Sequence, residues 1–287
     1  MQEISRNVFD TINLKYYDLT VSEKKTADYV MSHRTETQYM SIADLAEASG
    51  VAEATVSRFC RTLGYEGYNL FKLAVANASS VSGSGSEMLS GTVTEDDGFD
   101  EMCQKLFTAD RDAMDQTMSV LDEKQIGKAA DMLHNAGRVL CMGQGGSMLM
   151  ASECAHLFST VSGKFFPVTD SHSQVIAAAN MSPDDVLLFF SYSGATRDMI
   201  ETLTVARDNK VSVILITRFP KSPGAAFADL VIPCGSNESP LQLGSVAAKI
   251  AQLYLMDVLF AEYCRRKPEI VRERKEKIAA ALAKKHL

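Results

Sequence analysis

Between residues 41 and 64 the apolar positions fall three and four apart. Ile42, Leu45 and Ala46 make one stripe, and Val56, Phe59, Cys60 and Leu63 make a second. This is the period of two amphipathic helices, each burying one face. Ser41 suits the cap of the first helix, with Asp44 three residues on. Gly50 sits where its last turn needs a residue that tolerates positive φ. The second helix starts near Glu53 and stops at Gly64. Two short helices across a tight Gly-containing turn form a helix-turn-helix, whose second helix fits the DNA major groove. The outward residues of that helix are expected to be Ala54, Thr55, Ser57, Arg58 and Arg61. Thr55 and Ser57, in its first turn, are candidates for base edges or phosphates, and Arg58 and Arg61 for guanine edges or backbone oxygens. The competing reading is a plain two-helix corner in a helical domain.

Past residue 98 the pattern changes. Amphipathic helices are expected over about residues 99–119 and 122–135. Short apolar runs at 138–142, 164–168, 185–192, 211–217 and 230–233 then read as strands, with helices near 147–161, 196–209 and 243–265. The 185–192 run is apolar enough to be buried on both faces, as parallel strands are. The alternation predicts a three-layer, doubly wound, flavodoxin-like α/β domain on a mainly parallel five-stranded sheet. The region before it is all helical. The stretch SSVSGSGSEMLSGTVTEDDG separates the two and shows neither period, as flexible linkers do not. The expected organisation is a helix-turn-helix domain over 1–77, a linker over 78–98 and an α/β domain over 99–287. After residue 264 the chain is basic and its helix breaks near Pro268. A solvated terminal helix is the main reading, with contact to DNA or an anionic ligand as the alternative.

At 287 residues, 46% hydrophobic and 23% charged, the chain can bury two cores. No apolar run approaches the ~20 residues that cross a bilayer, and residues 1–10 lack a signal-peptide core. A cytoplasmic protein with no membrane partner is expected. The six cysteines, Cys60, Cys103, Cys141, Cys154, Cys234 and Cys264, are widely spaced with no CxxC. They read as reduced, buried thiols, with neither disulfides nor a metal site. Net charge is −7, and residues 1–80 carry eight Lys/Arg against ten Asp/Glu. This argues against non-specific coating of nucleic acid but leaves a specific operator reader open, because only one face must be basic.

Two loops carry candidate chemistry. Gly143-Gln-Gly-Gly-Ser147 follows the first strand, and glycines there, Gly145 and Gly146 among them, let backbone approach a ligand. Ser191-Tyr-Ser-Gly-Ala-Thr196 follows the third strand. Its hydroxyls (Ser191, Ser193, Thr196) and backbone N–H groups, with Gly194 in the turn, lie at the positive end of a helix dipole. That is an anion site needing no Lys or Arg. A simple helix cap at Thr196 is the alternative. With strand order 2-1-3-4-5 both loops face one crevice at a topological switch point. GQGGSM lacks the G-x-G-x-x-G spacing, so no dinucleotide, and no other cofactor, is expected.

The stretch ATVSRFCRTLG, with Tyr65-Glu-Gly-Tyr68-Asn-Leu-Phe-Lys72 after it, closely resembles the recognition helix of RpiR-type regulators. Upstream, Leu19 to Val30, with Ser22 as a capping-type residue, resembles the family's preceding helix. SYSGAT resembles the hallmark of sugar isomerase (SIS) domains, which bind phosphosugars. The likenesses span roughly residues 1–77 and 105–265, and the whole resembles an RpiR/MurR-type regulator. The resemblance implies that Ser147, Ser191, Ser193 and Thr196 hold the phosphate, and that Asp170, His172 and Glu238 contact sugar hydroxyls. The chain departs from the common family pattern at Ala247-Ala248-Lys249, where Ser-Ser/Thr-Arg is usual. The implied function is a non-enzymatic regulator, with no catalytic residues assigned. It would bind double-stranded operator DNA as a homodimer or homotetramer and respond to a phosphorylated sugar. Subunit contacts fall on the long helix after residue 98 and on the C-terminal helix. The alternative is a phosphosugar isomerase or lyase with a helical appendage, using Glu238 or His172 as acid or base.

Overall fold

The computed structural model describes residues 7–81, 88–90, 93–236 and 245–283. They form two compact units that divide between Ala109 and Asp110.

The first unit contains α1 (Val8–Lys15), a 3-10 turn (Tyr16–Asp18), α2 (Val21–Ser32), α3 (Arg34–Thr37), α4 (Ile42–Ala48), α5 (Glu53–Leu63) and α6 (Tyr68–Val81). The stripe expected to face inward does so: Val56, Phe59 and Cys60 are fully buried and Leu63 nearly so. Phe59 meets Phe71 of α6 edge-on, with centroids 5.4 Å apart. Ser41 and Asp44 close a reciprocal capping box on α4, and Gly50 and Gly64 take positive φ at the ends of α4 and α5.

Two expectations change. Thr20, not Ser22, caps α2. A capping box needs an acid or amide three residues after the cap, which Thr20 finds in Glu23 and Ser22, followed by Lys25, does not. The span read as a featureless linker also carries regular structure. α6 runs on to Val81 because Val75, Ala76 and Ala78 are buried along it. Beyond it β1 (Met88–Ser90) pairs antiparallel with β2 (Val93–Thr94), and Asp97 accepts from the Thr94 N–H (2.8 Å) and Lys105 (2.5 Å).

α7 (Phe99–Val120) carries the division between the units. Then follow α8 (Glu123–Asn135), β3 (Val139–Gly143), α9 (Gly146–Ser159), β4 (Phe165–Val168), α10 (Ser171–Ala179), β5 (Val186–Phe190), α11 (Arg197–Asp208), β6 (Ser212–Thr217), a 3-10 turn (Pro223–Phe227), β7 (Leu230–Pro233), α12 (Val246–Arg266) and α13 (Pro268–Ala283). The strands order as β4-β3-β5-β6-β7, all parallel, which is the doubly wound sheet expected. Alternate residues feed two cores. Val139, Cys141, Val186, Leu188, Phe190, Ile214 and Ile216 pack with α8, α9 and α12 on one face. Leu140, Met142, Leu187, Phe189, Val213 and Leu215 pack with α10 and α11 on the other. α10 is an additional element. Its stretch SHSQVIAAA is too short and too rich in small residues to show a helical stripe.

All six cysteines are free. Cys60, Cys141, Cys154 and Cys234 are buried as expected, whereas Cys103 is exposed on α7 and Cys264 is half-buried. Among the described residues no helix is long and apolar enough to cross a membrane.

An ion pair between a half-exposed arginine and a buried aspartate staples the sheet. Arg138, entering β3, donates through Nη2 (2.8 Å) and Nε (3.2 Å) to Asp185, which precedes β5. Arg138 holds the Asp185 carboxyl down to about 2. In the unfolded chain it would titrate near 3.9. A depressed folded pKa gives stability that is present above about pH 4 and lost as pH falls toward about 2. Acid unfolding followed by circular dichroism should therefore steepen over that window, and Asp185→Asn should flatten the slope there. An unchanged slope would show that the pair contributes no pH-dependent stability.

Candidate functional site

The outward face of α5 presents Ala54, Arg58 and Arg61 to solvent and half-exposes Ser57. Thr55 is corrected. It is 5% exposed, and its hydroxyl accepts from Arg58 Nη2 at 3.2 Å. Four residues before Phe59, it shares the inner face and is not one of the outward residues of α5. The N-cap of α5, Ala52, has no side-chain acceptor, so the first amides of this helix are left for another partner.

Sequence reasoning did not find what holds α5 in place. At its last turn Thr62 is gripped twice. Lys15 of α1 donates to the Thr62 carbonyl at 2.9 Å, and the Thr62 hydroxyl donates to Glu23 of α2 at 3.0 Å. Glu23 also accepts from the backbone N–H and hydroxyl of Thr20, at 2.9 and 2.6 Å. Burial pushes the Glu23 carboxyl up, but hydrogen bonds from Thr20 and Thr62 and the nearby Arg58 outweigh it and leave the pKa below its ordinary value. The Thr20-x-x-Glu23 spacing was the available signal.

In the second unit, the two glycine- and serine-bearing loops leave the sheet side by side. Gly143, the last residue of β3, is the register partner of Phe190, the last residue of β5, and neighbouring strands lie about 4.8 Å apart. β3 is flanked by β4 on one side and β5 on the other, so both loops open at the carboxyl edge where the winding reverses. α9 packs on one face of the sheet and α11 on the other, so their N-termini flank this edge from opposite faces.

Glycine is required at two points of this geometry. A Cβ on Gly143 would lie 2.5 Å from the Ser147 carbonyl oxygen, so α9 can seat on β3 only over glycine. Gly194 has φ +59, and its missing Cβ makes room for the Ser222 hydroxyl. Gly145 caps α9 at φ 54 and ψ −125, with open space where its side chain would be.

Of the expected anion ligands, Ser193 is exposed and Ser147 and Thr196 are half-buried. Thr196 occupies the N-cap of α11 without using its hydroxyl there, so capping does not consume it. Ser191 is buried, 5% exposed, and accepts from the Gly194 N–H at 3.1 Å, bracing the turn from inside. The loop is tied further by Gly224, which donates to the Gly194 carbonyl, and by Thr217, which donates to the Tyr192 carbonyl at 3.1 Å.

Asp170 caps α10, accepting from the Ser173 N–H at 2.7 Å. That bond, with the Ser173 hydroxyl and His172, holds its carboxyl below the usual range. His172 lies exposed in the first turn of α10. Glu238 falls outside the described residues. Gln174 was not anticipated. It is fully buried, donates to the carbonyls of Gly143 (3.0 Å) and Val168 (2.8 Å), and accepts from Gln144 (2.8 Å).

A helix-turn-helix unit followed by a doubly wound α/β unit defines the class: a transcriptional regulator with an attached small-molecule-binding fold. The profile of the helix-turn-helix domain, rpiR family, matches residues 6–82, and that of the SIS domain matches residues 132–262. An HTH-type transcriptional regulator of Caldanaerobacter subterraneus subsp. tengcongensis is 32% identical over 84% of each chain. The HTH-type transcriptional regulator HexR of Pseudomonas aeruginosa is 30% identical over 88% of each. The structure of Vibrio vulnificus NanR superposes with a TM-score of 0.84 over 98% of this chain and 99% of that one, at 24% identity. The chain belongs to the RpiR family of helix-turn-helix transcriptional regulators.

Proposed function

We propose that this regulator reads operator DNA through α5, and that a phosphorylated sugar bound between the β3–α9 and β5–α11 loops changes its grip. The observation that carries the reading is the register of Gly143 with Phe190, because the loops that follow these two residues lead into the N-termini of α9 and α11 and carry the hydroxyls of Ser147, Ser193 and Thr196. Ser193 accepts from the Ala195 N–H at 3.3 Å and keeps its own proton to donate. Ser147, Ser193 and Thr196 are the phosphate ligands, with the backbone at Gly145 and Gly146. Ser191 and Gly194 shape the turn, and Asp170 and His172 stand at the rim for sugar hydroxyls. In the crevice the helix dipoles supply the positive field. The NanR structure was solved with ManNAc-6P, which favours a phosphosugar as the ligand class here.

On the DNA side Arg58 and Arg61 reach base edges or phosphates, Ser57 contacts the backbone, and Thr55 positions Arg58. The protein acts in the cytoplasm as a homodimer or homotetramer. α7 exposes Leu106, Phe107, Met114 and Met118, an apolar surface fit for subunit contact. Ligand binding resets the separation of paired recognition helices, which must match half-sites about 34–36 Å apart or a multiple of that. Such coupling typically amounts to ~1–3 kcal/mol.

The test combines thermal-shift screening of phosphorylated sugars with gel-shift titration of operator DNA. One sugar phosphate should raise the melting temperature and alter operator affinity by about 5- to 150-fold. Ser193→Ala should erase that response and leave ligand-free operator affinity intact. If no phosphosugar binds by calorimetry, the reading fails. Turnover of a phosphosugar by the purified protein would favour an isomerase or lyase instead.

A further inference from the structure

At the opposite edge of the same unit the strands begin, and a cavity of about 200 Å3 opens there between the C-terminal ends of α8, α9 and α12 and the first turns of α13. Lys164, Lys267 and Arg274 line it together with His134, Tyr263 and Ser162. Lys164 immediately precedes β4, which places this cavity at the amino edge of the sheet, away from the carboxyl-edge loops.

The charges do not balance. Among the described residues Lys164, Lys267 and Arg274 form no salt bridge, while the nearby acids are engaged elsewhere: Asp131 with Arg266, Glu269 with Arg272, and Glu273 with Lys277. Lys164 spends two donors on the carbonyls of His134 (2.8 Å) and Ala136 (2.9 Å), satisfying the end of α8. An ammonium has three donors, so one remains. Lys267 and Arg274 make no side-chain hydrogen bond within the described residues. His134 stacks on Tyr263, with centroids 3.8 Å apart, and its Nε2 lies 2.8 Å from the Tyr263 carbonyl, which leaves it no role as a counter-charge. Burial lowers the Lys164 pKa, and repulsion from Lys267 lowers it further. His134 is lowered by burial as well, against a raising hydrogen bond to Tyr263, and Lys267 and Lys164 add to the depression.

Like charges gathered around a concavity, with the neighbouring carboxylates paired to other cations, concentrate anions. We propose that this cavity is a second anion-binding site, taking a phosphate-sized oxyanion on Lys164, Lys267 and Arg274. Its volume of about 200 Å3 has room for a tetrahedral oxyanion with water around it. Lys164 is anchored and half-buried at the cavity wall. A free ion reaches it more readily than a phosphate carried on the stiff surface of a duplex.

The test is calorimetric titration of inorganic phosphate into the full chain at low chloride, for the wild type, Lys267→Gln/Arg274→Gln and Ser193→Ala. The wild type and Ser193→Ala should each show this site. The double variant should lose it or bind about tenfold more weakly, the scale of one or two charge-assisted contacts. Sulfate should compete where chloride at equal ionic strength does not. Identical isotherms for wild type and double variant overturn the proposal, as does equal displacement by chloride. Arg274→Gln alone changes an exposed position of α13 that cannot jeopardise folding, and phosphate affinity unchanged in that variant also overturns it. Operator affinity is measured on the same variants without phosphate. A loss there would assign these cations to DNA and overturn the anion site. Because Ser193→Ala removes only the carboxyl-edge response, failure of this site and failure of the proposed crevice give different isotherms.

Discussion

Gln174→Leu should lower the stability of the second unit by about 2–4 kcal/mol and weaken phosphosugar binding with it. Leucine nearly matches glutamine in shape, so packing changes little. The polar connections do not survive. Gln174 is fully buried, and its amide holds the carbonyls of Gly143 and Val168 while accepting from Gln144. A buried donor or acceptor left unmatched costs about 1–3 kcal/mol, and partial relaxation keeps the sum below three full penalties. The three partners lie at the end of β3, the end of β4 and the first residue of the β3–α9 loop. The residue therefore fixes where α9 starts relative to the sheet. Urea unfolding and calorimetry with the sugar phosphate found by screening would check both halves. Lower stability with unchanged affinity would show that the loop keeps its place without Gln174.

That residue also shows where sequence reasoning stops. The strands were legible because β3 and β5 are buried at every position, which leaves nearly continuous apolar runs that only a central parallel strand tolerates. The two glycine- and serine-bearing loops were legible because Gly145 and Gly194 adopt positive φ, which few other residues accept. Gln174 carried no such mark. Its partners Gly143 and Gln144 are about thirty residues away, and nothing local distinguishes a buried glutamine from a solvated one. Lys15 is equally silent, since its partner Thr62 is 47 residues on. Thr55 was a different kind of miss. Its hydroxyl suggested an outward role, yet its spacing from Phe59 placed it inward, and the periodicity was the better guide.

The two units therefore use one device. Each proposed contact surface is short and polar, and each is held by a buried polar side chain that touches no ligand itself. Gln174 does this for the crevice and Glu23 for the recognition helix. Such positioning matters because a reading helix displaced by a fraction of a turn loses its base contacts while the domain stays folded.

Glu23→Ala is accordingly the second large effect expected, and it separates positioning from plain stability. The substitution removes the acceptor that ties the Thr62 hydroxyl to α2, leaving it the Arg58 carbonyl of its own helix at 3.1 Å, and the reciprocal half of the α2 capping box. A lost cap costs about 1 kcal/mol and a lost hydrogen bond to a charged group about 1.5–3 kcal/mol, so the first unit should lose roughly 2–4 kcal/mol. The folded carboxyl titrates below its ordinary value, so its contribution is present above about pH 4.3, the unfolded value. It is lost as pH falls through the lower folded value, and the stability gap between wild type and variant should narrow there. Operator affinity is then measured at neutral pH and at a temperature where the variant remains folded. With only Lys15 still holding Thr62, α5 is free to roll, and affinity should fall by about tenfold, near the 1.4 kcal/mol scale of one weakened base contact. Glu23→Gln keeps an acceptor for Thr62 but cannot also accept from both Thr20 donors, so it should restore most of the affinity and only part of the stability. If the alanine variant is less stable yet binds operator as the wild type does, Glu23 is a cap alone, and α5 is positioned by its apolar face.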